Sequence, residues 1–212
     1  MRRERKAAWV TMLAVAGLMS TAAILPAQTD PQVSSPASKP VRFFLGSNMT
    51  IGGDTLVKMY MRDDTEQTLK AGTLLDIKGG IIYDIAPNVF LRGSLGIHYG
   101  GLSARTNSDK EGTVAFSRFP LEIMVFFRAT DRLSFGAGVR KAVGAVLKGS
   151  DAFSYFGSLD LESSMGLILE AEYRLKQWGI VVRYVSERYR SGSSGNWKDG
   201  GHIGLGALFH FK

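Results

Sequence analysis

From Val41 to Phe211 apolar and polar residues alternate, and this two-residue period restricts the chain to extended structure. Successive side chains of a strand point to opposite faces, whereas a helix gathers its apolar face every 3.6 residues. In residues 202–211, Ile203, Leu205, Ala207, Phe209 and Phe211 share one face, opposite the glycines, Leu208, His202 and His210. Residues 159–175 set Leu161, Leu167, Leu169, Ala171 and Tyr173 against Glu162, Glu170, Glu172 and Arg174. Residues 116–129 set Phe119, Leu121, Ile123, Val125 and Phe127 against Arg118, Glu122 and Arg128, with Met124 and Phe126 as exceptions on the polar side.

Five further segments follow the pattern. Residues 71–85 place Leu75, Ile77, Ile81 and Tyr83 opposite Asp76, Lys78 and Asp84. Residues 89–100 place Leu91, Leu95, Ile97 and Tyr99 opposite Arg92, Ser94, Gly96 and His98. Residues 132–147 place Leu133, Phe135, Ala137, Val139 and Val143 opposite Ser134, Gly136, Gly138 and Arg140, and Lys141 breaks the rule. Residues 178–190 place Trp178, Ile180, Val182 and Tyr184 opposite Arg183 and Glu187. The least regular segment, 41–51, places Phe43, Leu45 and Met49 opposite Arg42, Asn48 and Thr50. Eight strands result, most of them as long as the roughly 9–11 residues that a tilted strand needs to cross a bilayer.

Alternation alone does not say which face is inside, because a soluble ligand-binding barrel alternates too, with its apolar face inward. Three features favour an apolar exterior. Connections alternate between tight turns (86–88, 130–131, 176–177) and longer polar stretches (52–70, 101–112, 148–158, 190–200), the asymmetry of transmembrane barrels. Apolar-face rings gather beside the short turns: Tyr83, Phe127, Phe135, Tyr173, Trp178 and Phe211, with Phe43 near the first strand's start. Such a girdle suits a bilayer interface. The polar face is nearly charge-paired, with Arg42, Lys78, Arg92, Arg118, Arg128, Arg140, Arg174 and Arg183 against Asp76, Asp84, Glu122, Glu170, Glu172 and Glu187. Eight strands enclose a space that side chains just fill, so these charges can satisfy one another, and the glycines on that face leave room for them. The expected fold is all-β: an eight-stranded antiparallel up-and-down transmembrane β-barrel over residues 41–212.

The N-terminus reads as an address. Met1 to Lys6 is basic, an apolar and alanine-rich run extends to Leu25, and Leu25-Pro26-Ala27 offers small-residue cleavage, the order of a secretory signal peptide. We expect residues 1–27 to be removed and residues 28–40, rich in Pro, Ser and Thr, to form a flexible leader. The basic start supplies +3 of the net charge of +7 (four cations less Glu4), which leaves +4 and a weak case for nucleic acid. The chain has no Cys, which excludes a disulfide scaffold, Cys-ligated metal and a lipoprotein signal.

The runs Phe119-Pro120-Leu121-Glu122, Gly136-Ala137-Gly138-Val139-Arg140, Gly166-Leu167-Ile168-Leu169-Glu170-Ala171-Glu172-Tyr173-Arg174, Val182-Arg183-Tyr184 and His202-Ile203-Gly204-Leu205 resemble the small outer-membrane β-barrel family related to the OmpA transmembrane domain and OmpX. The resemblance covers the chain from Val41 onward and implies the outer membrane of a Gram-negative cell. Implied partners are outer-membrane lipid, lipopolysaccharide and the barrel-assembly machinery, for a monomer. Two departures stand out: the family usually ends on an aromatic residue, whereas Lys212 follows Phe211 here, and we expect no peptidoglycan-binding domain after the barrel, so a tether to the cell wall is not implied.

Candidate chemistry is sparse. His98, His202 and His210 lie on or beside the polar face, and nothing in their spacing makes a metal set, so filling the interior is their expected role. The His-x-Ser-Asn pattern of lipid A deacylase barrels is absent after His98 and after His202, and no histidine sits in a long loop as a palmitoyltransferase barrel would require. We therefore expect no catalytic site, cofactor or metal. Phe153, Tyr155 and Phe156 in the 148–158 connection, and Trp197 in the last, are candidates for either recognition or membrane contact. Open functional readings are a structural or surface-interaction barrel, a narrow pore, a lipid-A-modifying enzyme and a soluble binding barrel.

Overall fold

The computed structural model describes residues 41–60, 66–73, 75–105, 111–192 and 195–211. The expected signal peptide and leader lie outside the described residues, as does Lys212. Among the described residues no helix is long and apolar enough to cross a membrane.

The described residues form thirteen strands: β1 (Val41–Gly52), β2 (Thr55–Tyr60), β3 (Glu66–Lys70), β4 (Leu75–Ala86), β5 (Val89–Arg105), β6 (Glu111–Arg128), β7 (Leu133–Asp151), β8 (Ser158–Ser163), β9 (Met165–Leu175), β10 (Trp178–Ser186), β11 (Arg188–Ser191), β12 (Lys198–Asp199) and β13 (His202–His210). Eight of them form a ring, each hydrogen-bonded antiparallel to its neighbours in the order β1-β4-β5-β6-β7-β9-β10-β13. The ring closes where β13 returns to β1, with Phe44 opposite His210 and Ile51 opposite Ile203. Closure removes both edges of the ring, the condition for strands in a bilayer.

The eight expected segments correspond to the eight staves, with two breaks and one slip. The stave expected over 159–175 is interrupted at Ser164 and the one over 178–190 at Glu187. Above those breaks β8 continues beside β7 and pairs with β11, which in turn pairs with β12. The slip lies in β7, where the register against β6 shifts opposite Arg118 and Gly144 takes φ +57. That left-handed backbone suits glycine, and the extra residue reverses which side chains face in. Ala142 and Ala145 are thus both buried, three residues apart.

The stretch 52–70 does not run as an irregular loop. Most of it folds into the two-stranded hairpin β2–β3, whose strands pair with each other and with no barrel strand. Likewise β5 and β6 rise well beyond the apolar band, to Ala104 opposite Gly112.

The faces are unambiguous. Outward lie Phe43, Leu45, Ile77, Ile81, Leu95, Ile97, Leu121, Ile123, Leu169, Val182, Ile203 and Leu205, all substantially exposed. Inward lie Asp76, Lys78, Arg92, Arg118, Glu122, Arg140, Glu170, Glu172, Arg183 and Glu187, all buried. On β5 the outward apolar run Val89 to Tyr99 spans ten steps of about 3.3 Å, which at a strand tilt of about 40° is roughly 25 Å of barrel height. That is the height of the apolar band on outer-membrane barrels. The short-turn girdle is in place: Tyr83, Phe127, Phe135, Tyr173, Trp178, Phe211 and Phe43 are exposed, and Trp178, Phe209 and Phe211 form a chain of edge-on rings with centroids 5.1 Å apart. The inverted arrangement of a soluble binding barrel, apolar inside, is not what this chain adopts.

Candidate functional site: the filled lumen

Three layers fill the interior. Apolar side chains fill much of the lower interior: Phe44, Ile82, Phe90, Met124, Phe126, Val181 and Leu208 lie toward the short turns, and Ile168 and Val185 continue the cluster farther up β9 and β10, beyond Glu170 and Arg183. The apparent exceptions Met124 and Phe126 are therefore members of an inner layer. Phe90 and Phe126 stack with centroids 4.8 Å apart. Gly136 lies opposite Phe126 in the β6–β7 ladder, and a Cβ there would come within 2.6 Å of the Phe126 ring. The glycine is what leaves space for that ring. Arg92 covers the layer with its guanidinium 4.1 Å from the Phe126 centroid and 5.2 Å from that of Phe44. Below it, Asp84 pairs with Arg42 at 3.0 Å and with Arg128.

The middle layer is a buried ion network. Glu122 accepts from Arg183 Nη2 at 2.7 Å, Arg140 Nη1 at 3.2 Å and Ser94 Oγ at 3.2 Å, and Lys78 Nζ lies 3.5 Å away. Arg183 also reaches Asp76 at 3.3 Å, and Asn48 donates to the same carboxylate at 2.9 Å. Arg92 bridges Glu170 and Glu172, and His210 meets Glu172 at 2.8 Å. Arg118 and Arg140 converge on Glu187, at 3.2 and 3.1 Å. Arg92, Arg118, Arg140 and Arg183 are each under 2 % exposed, so their heads lie among side chains rather than in solvent. An unpaired charge at such depth would be costly, which is why opposite charges alternate through the layer.

The upper layer caps the barrel. Val57, Met59 and Leu69 from the β2–β3 hairpin, with Ala71 just after it, pack on Ala104, Val114, Phe116, Ala142, Ala145, Phe153 and Tyr189. Arg118 ties this cap to the network by donating to the Ala71 carbonyl at 2.8 Å. Asp54 and Asp199 exchange two further hydrogen bonds across the rim, each donating its backbone N–H. The sequence pattern had offered no such plug. Its only signal is the alternation of Leu56, Lys58 and Tyr60 with Val57 and Met59, which is short and flanked by charge.

The three histidines are all buried, but they do not converge. His98 and His202 lie with rings 5.3 Å apart, while His210 sits at the other end against Glu172. His98 accepts from Arg118 Nε at 3.0 Å and meets Thr50 Oγ1 at 3.0 Å; His202 Nδ1 lies 2.8 Å from the Gly200 carbonyl. Among the described residues no group of three His, Cys, Asp or Glu side chains could hold a metal ion. The loop aromatics divide. Phe153 is buried in the cap, Tyr155 is 74 % exposed, and Trp197 lies under the Arg190 guanidinium at 4.8 Å.

A closed ring of eight antiparallel strands, apolar outside and charge-filled inside, makes this an outer-membrane β-barrel protein. No protein-family model matches the chain, and no curated protein matches it in sequence. Solved structures similar to it include small barrels. They include Ail, the attachment invasion locus protein of Yersinia pestis, in complex with the heparin analogue sucrose octasulfate, at 15% identity over 81% of this chain and 97% of that one, TM-score 0.48. They also include Neisserial surface protein A, at 11% identity over 82% and 98%, TM-score 0.42. The outer membrane protein AlkL is similar at 14% identity over 88% and 97%, TM-score 0.39.

Proposed function

We propose that the chain is exported by a cleaved signal peptide and serves, as a monomer, a structural or surface-interaction role with its loop end facing out of the cell. Its outer wall meets outer-membrane lipid and lipopolysaccharide, and the barrel-assembly machinery inserts it. It carries out no catalysis. The observation that supports this reading is the lumen, stacked from the short-turn rim to the hairpin cap with packed rings and paired charges. Whatever the protein does then falls to its surface.

Conductance across planar bilayers tests the reading. The reconstituted barrel should leave the bilayer silent, and discrete openings that depend on ion type would replace it with a conduit. Mass spectrometry of lipid A from cells with and without the protein should give identical spectra; a change in acylation would make it an enzyme.

A further inference from the structure

Among the described residues of the barrel staves, outward charge gathers in the sector of β7, β8 and β11. On β1 and β4, on β5 as far as Ser103, and on β6 from Thr113 to Phe127, the outward positions are apolar, small or hydroxyl-bearing. On β7 the outward Lys141 interrupts a run of Phe135, Ala137, Val139 and Val143. It pairs in register with Leu121 on one side and Met165 on the other, both exposed. On β11 the outward Arg188 is hydrogen-bonded through its backbone to Ser164, the residue before Met165. Lys141 and Arg188 therefore flank Ser164–Met165 two strands apart, a separation of roughly 10 Å at the usual strand spacing.

Their height explains why two cations are tolerated on a lipid-facing wall. From Leu133 to Lys141 is eight steps, roughly 20 Å of barrel height, and from Trp178 to Arg188 ten steps, roughly 25 Å. Both lie at the loop-end rim of a band about 25 Å tall, where a cation costs little if its head reaches the interface. Lys141 donates to the Ser163 carbonyl, which turns its ammonium toward that rim. Among the described residues the Arg188 guanidinium has no side-chain partner. Asp199, opposite it in the β11–β12 register, caps the Gly201 amide at 2.8 Å and forms no ion pair with it. Glu162, higher on β8, is taken by Arg190 at 2.6 Å. Directly below lie exposed Met165, Leu167 and Tyr184. Paired cations above an apolar wall, at interface height, match a phosphorylated lipid with acyl chains.

We infer that Lys141 and Arg188, over Met165, Leu167 and Tyr184, form a binding site for the phosphates of lipid A in the outer leaflet. The site rests on the outward orientation of the loop end proposed above.

The test is native mass spectrometry of the full chain folded in detergent micelles. It is mixed in turn with bisphosphorylated lipid A, dephosphorylated lipid A and phosphatidylglycerol. Bisphosphorylated lipid A should remain bound, the other two should not, and K141Q/R188Q should lower the bound fraction about tenfold, the effect of losing two charge-assisted contacts. K148Q, higher on β7, should bind as the parent does. Equal binding of dephosphorylated lipid A, equal binding of phosphatidylglycerol, or full retention by K141Q/R188Q overturns the site. Each sample is also run unheated and boiled on a denaturing gel. A heat-shifted barrel without lipid A adducts sinks the site alone, whereas a parent chain lacking the heat shift sinks the membrane reading beneath it.

Discussion

Glu122 is the hub of the lumen, and replacing it by Gln tests whether the charges hold the barrel together. The substitution keeps shape and one acceptor but removes the charge that faces Arg183 at 2.7 Å, Arg140 at 3.2 Å and Lys78 at 3.5 Å. All four side chains are 2 % exposed or less, so water cannot replace the lost partner. Removing one member of a buried ion pair costs about 3–5 kcal/mol, chiefly because the other charge stays buried. With a urea dependence of about 2 kcal/mol per molar, the midpoint should fall by roughly 2 M. The measurement is the fraction of heat-shifted protein after equilibration in urea with phospholipid vesicles. Ser94→Ala is the control: it deletes one neutral donor to the same carboxylate, at 3.2 Å, and should cost about 1 kcal/mol. If E122Q unfolds with the control or later, the network is not a buried, mutually dependent set.

Other perturbations reach the remaining layers. Leu95→Arg places a cation midway up the outward band and should cost about 2–4 kcal/mol in the same urea titration, while Thr113→Arg, above the band, should cost under about 1 kcal/mol; equal costs would contradict the lipid-facing assignment. Replacing residues 55–70 by a short Gly-Ser linker should leave the heat-shifted mobility intact, because β2 and β3 pair only with each other, and should raise the binding of an apolar dye to the uncovered Val114 and Phe116. Loss of the heat shift would make the hairpin part of the barrel's own stability. Gly136→Leu should overpack the layer around Phe126 and lower the urea midpoint by the equivalent of about 1–3 kcal/mol or more; an unchanged midpoint would show that the ring moves aside freely.

The wall was legible because a two-sided strand must write its environment into every second residue. Leu75, Ile77, Ile81 and Tyr83 needed no partner information to be assigned to one face, nor did Asp76, Lys78 and Asp84 to the other. Each strand contributes the same two chemistries, so the ring follows from the count of segments and the short turns between them. Where the phase slipped, the reading slipped with it. Beyond Gly144 the alternation of β7 is reversed, because a bulge adds a residue without adding a chemical signal, and Val146 and Lys148 change faces accordingly.

The interior was legible in content but not in arrangement. Which charges face inward follows from parity, yet the meeting of Arg183 with Glu122, 61 residues away, depends on register and barrel shear, which no single segment encodes. The cap was missed for a different reason. Val57 and Met59 alternate over only two positions, with Leu56 and Tyr60 apolar on the opposite parity and Leu69 ten residues on, too little to declare a period, and their burial depends on a surface supplied by β5, β6, β7 and β11. Phe153 shows the same dependence: in sequence it stands beside Tyr155 as one aromatic cluster, whereas the fold buries the first and exposes the second. Lys141 shows the reverse. Its parity marks it as outward and anomalous at once, and only the heights of its neighbours turn that anomaly into a position at the membrane rim.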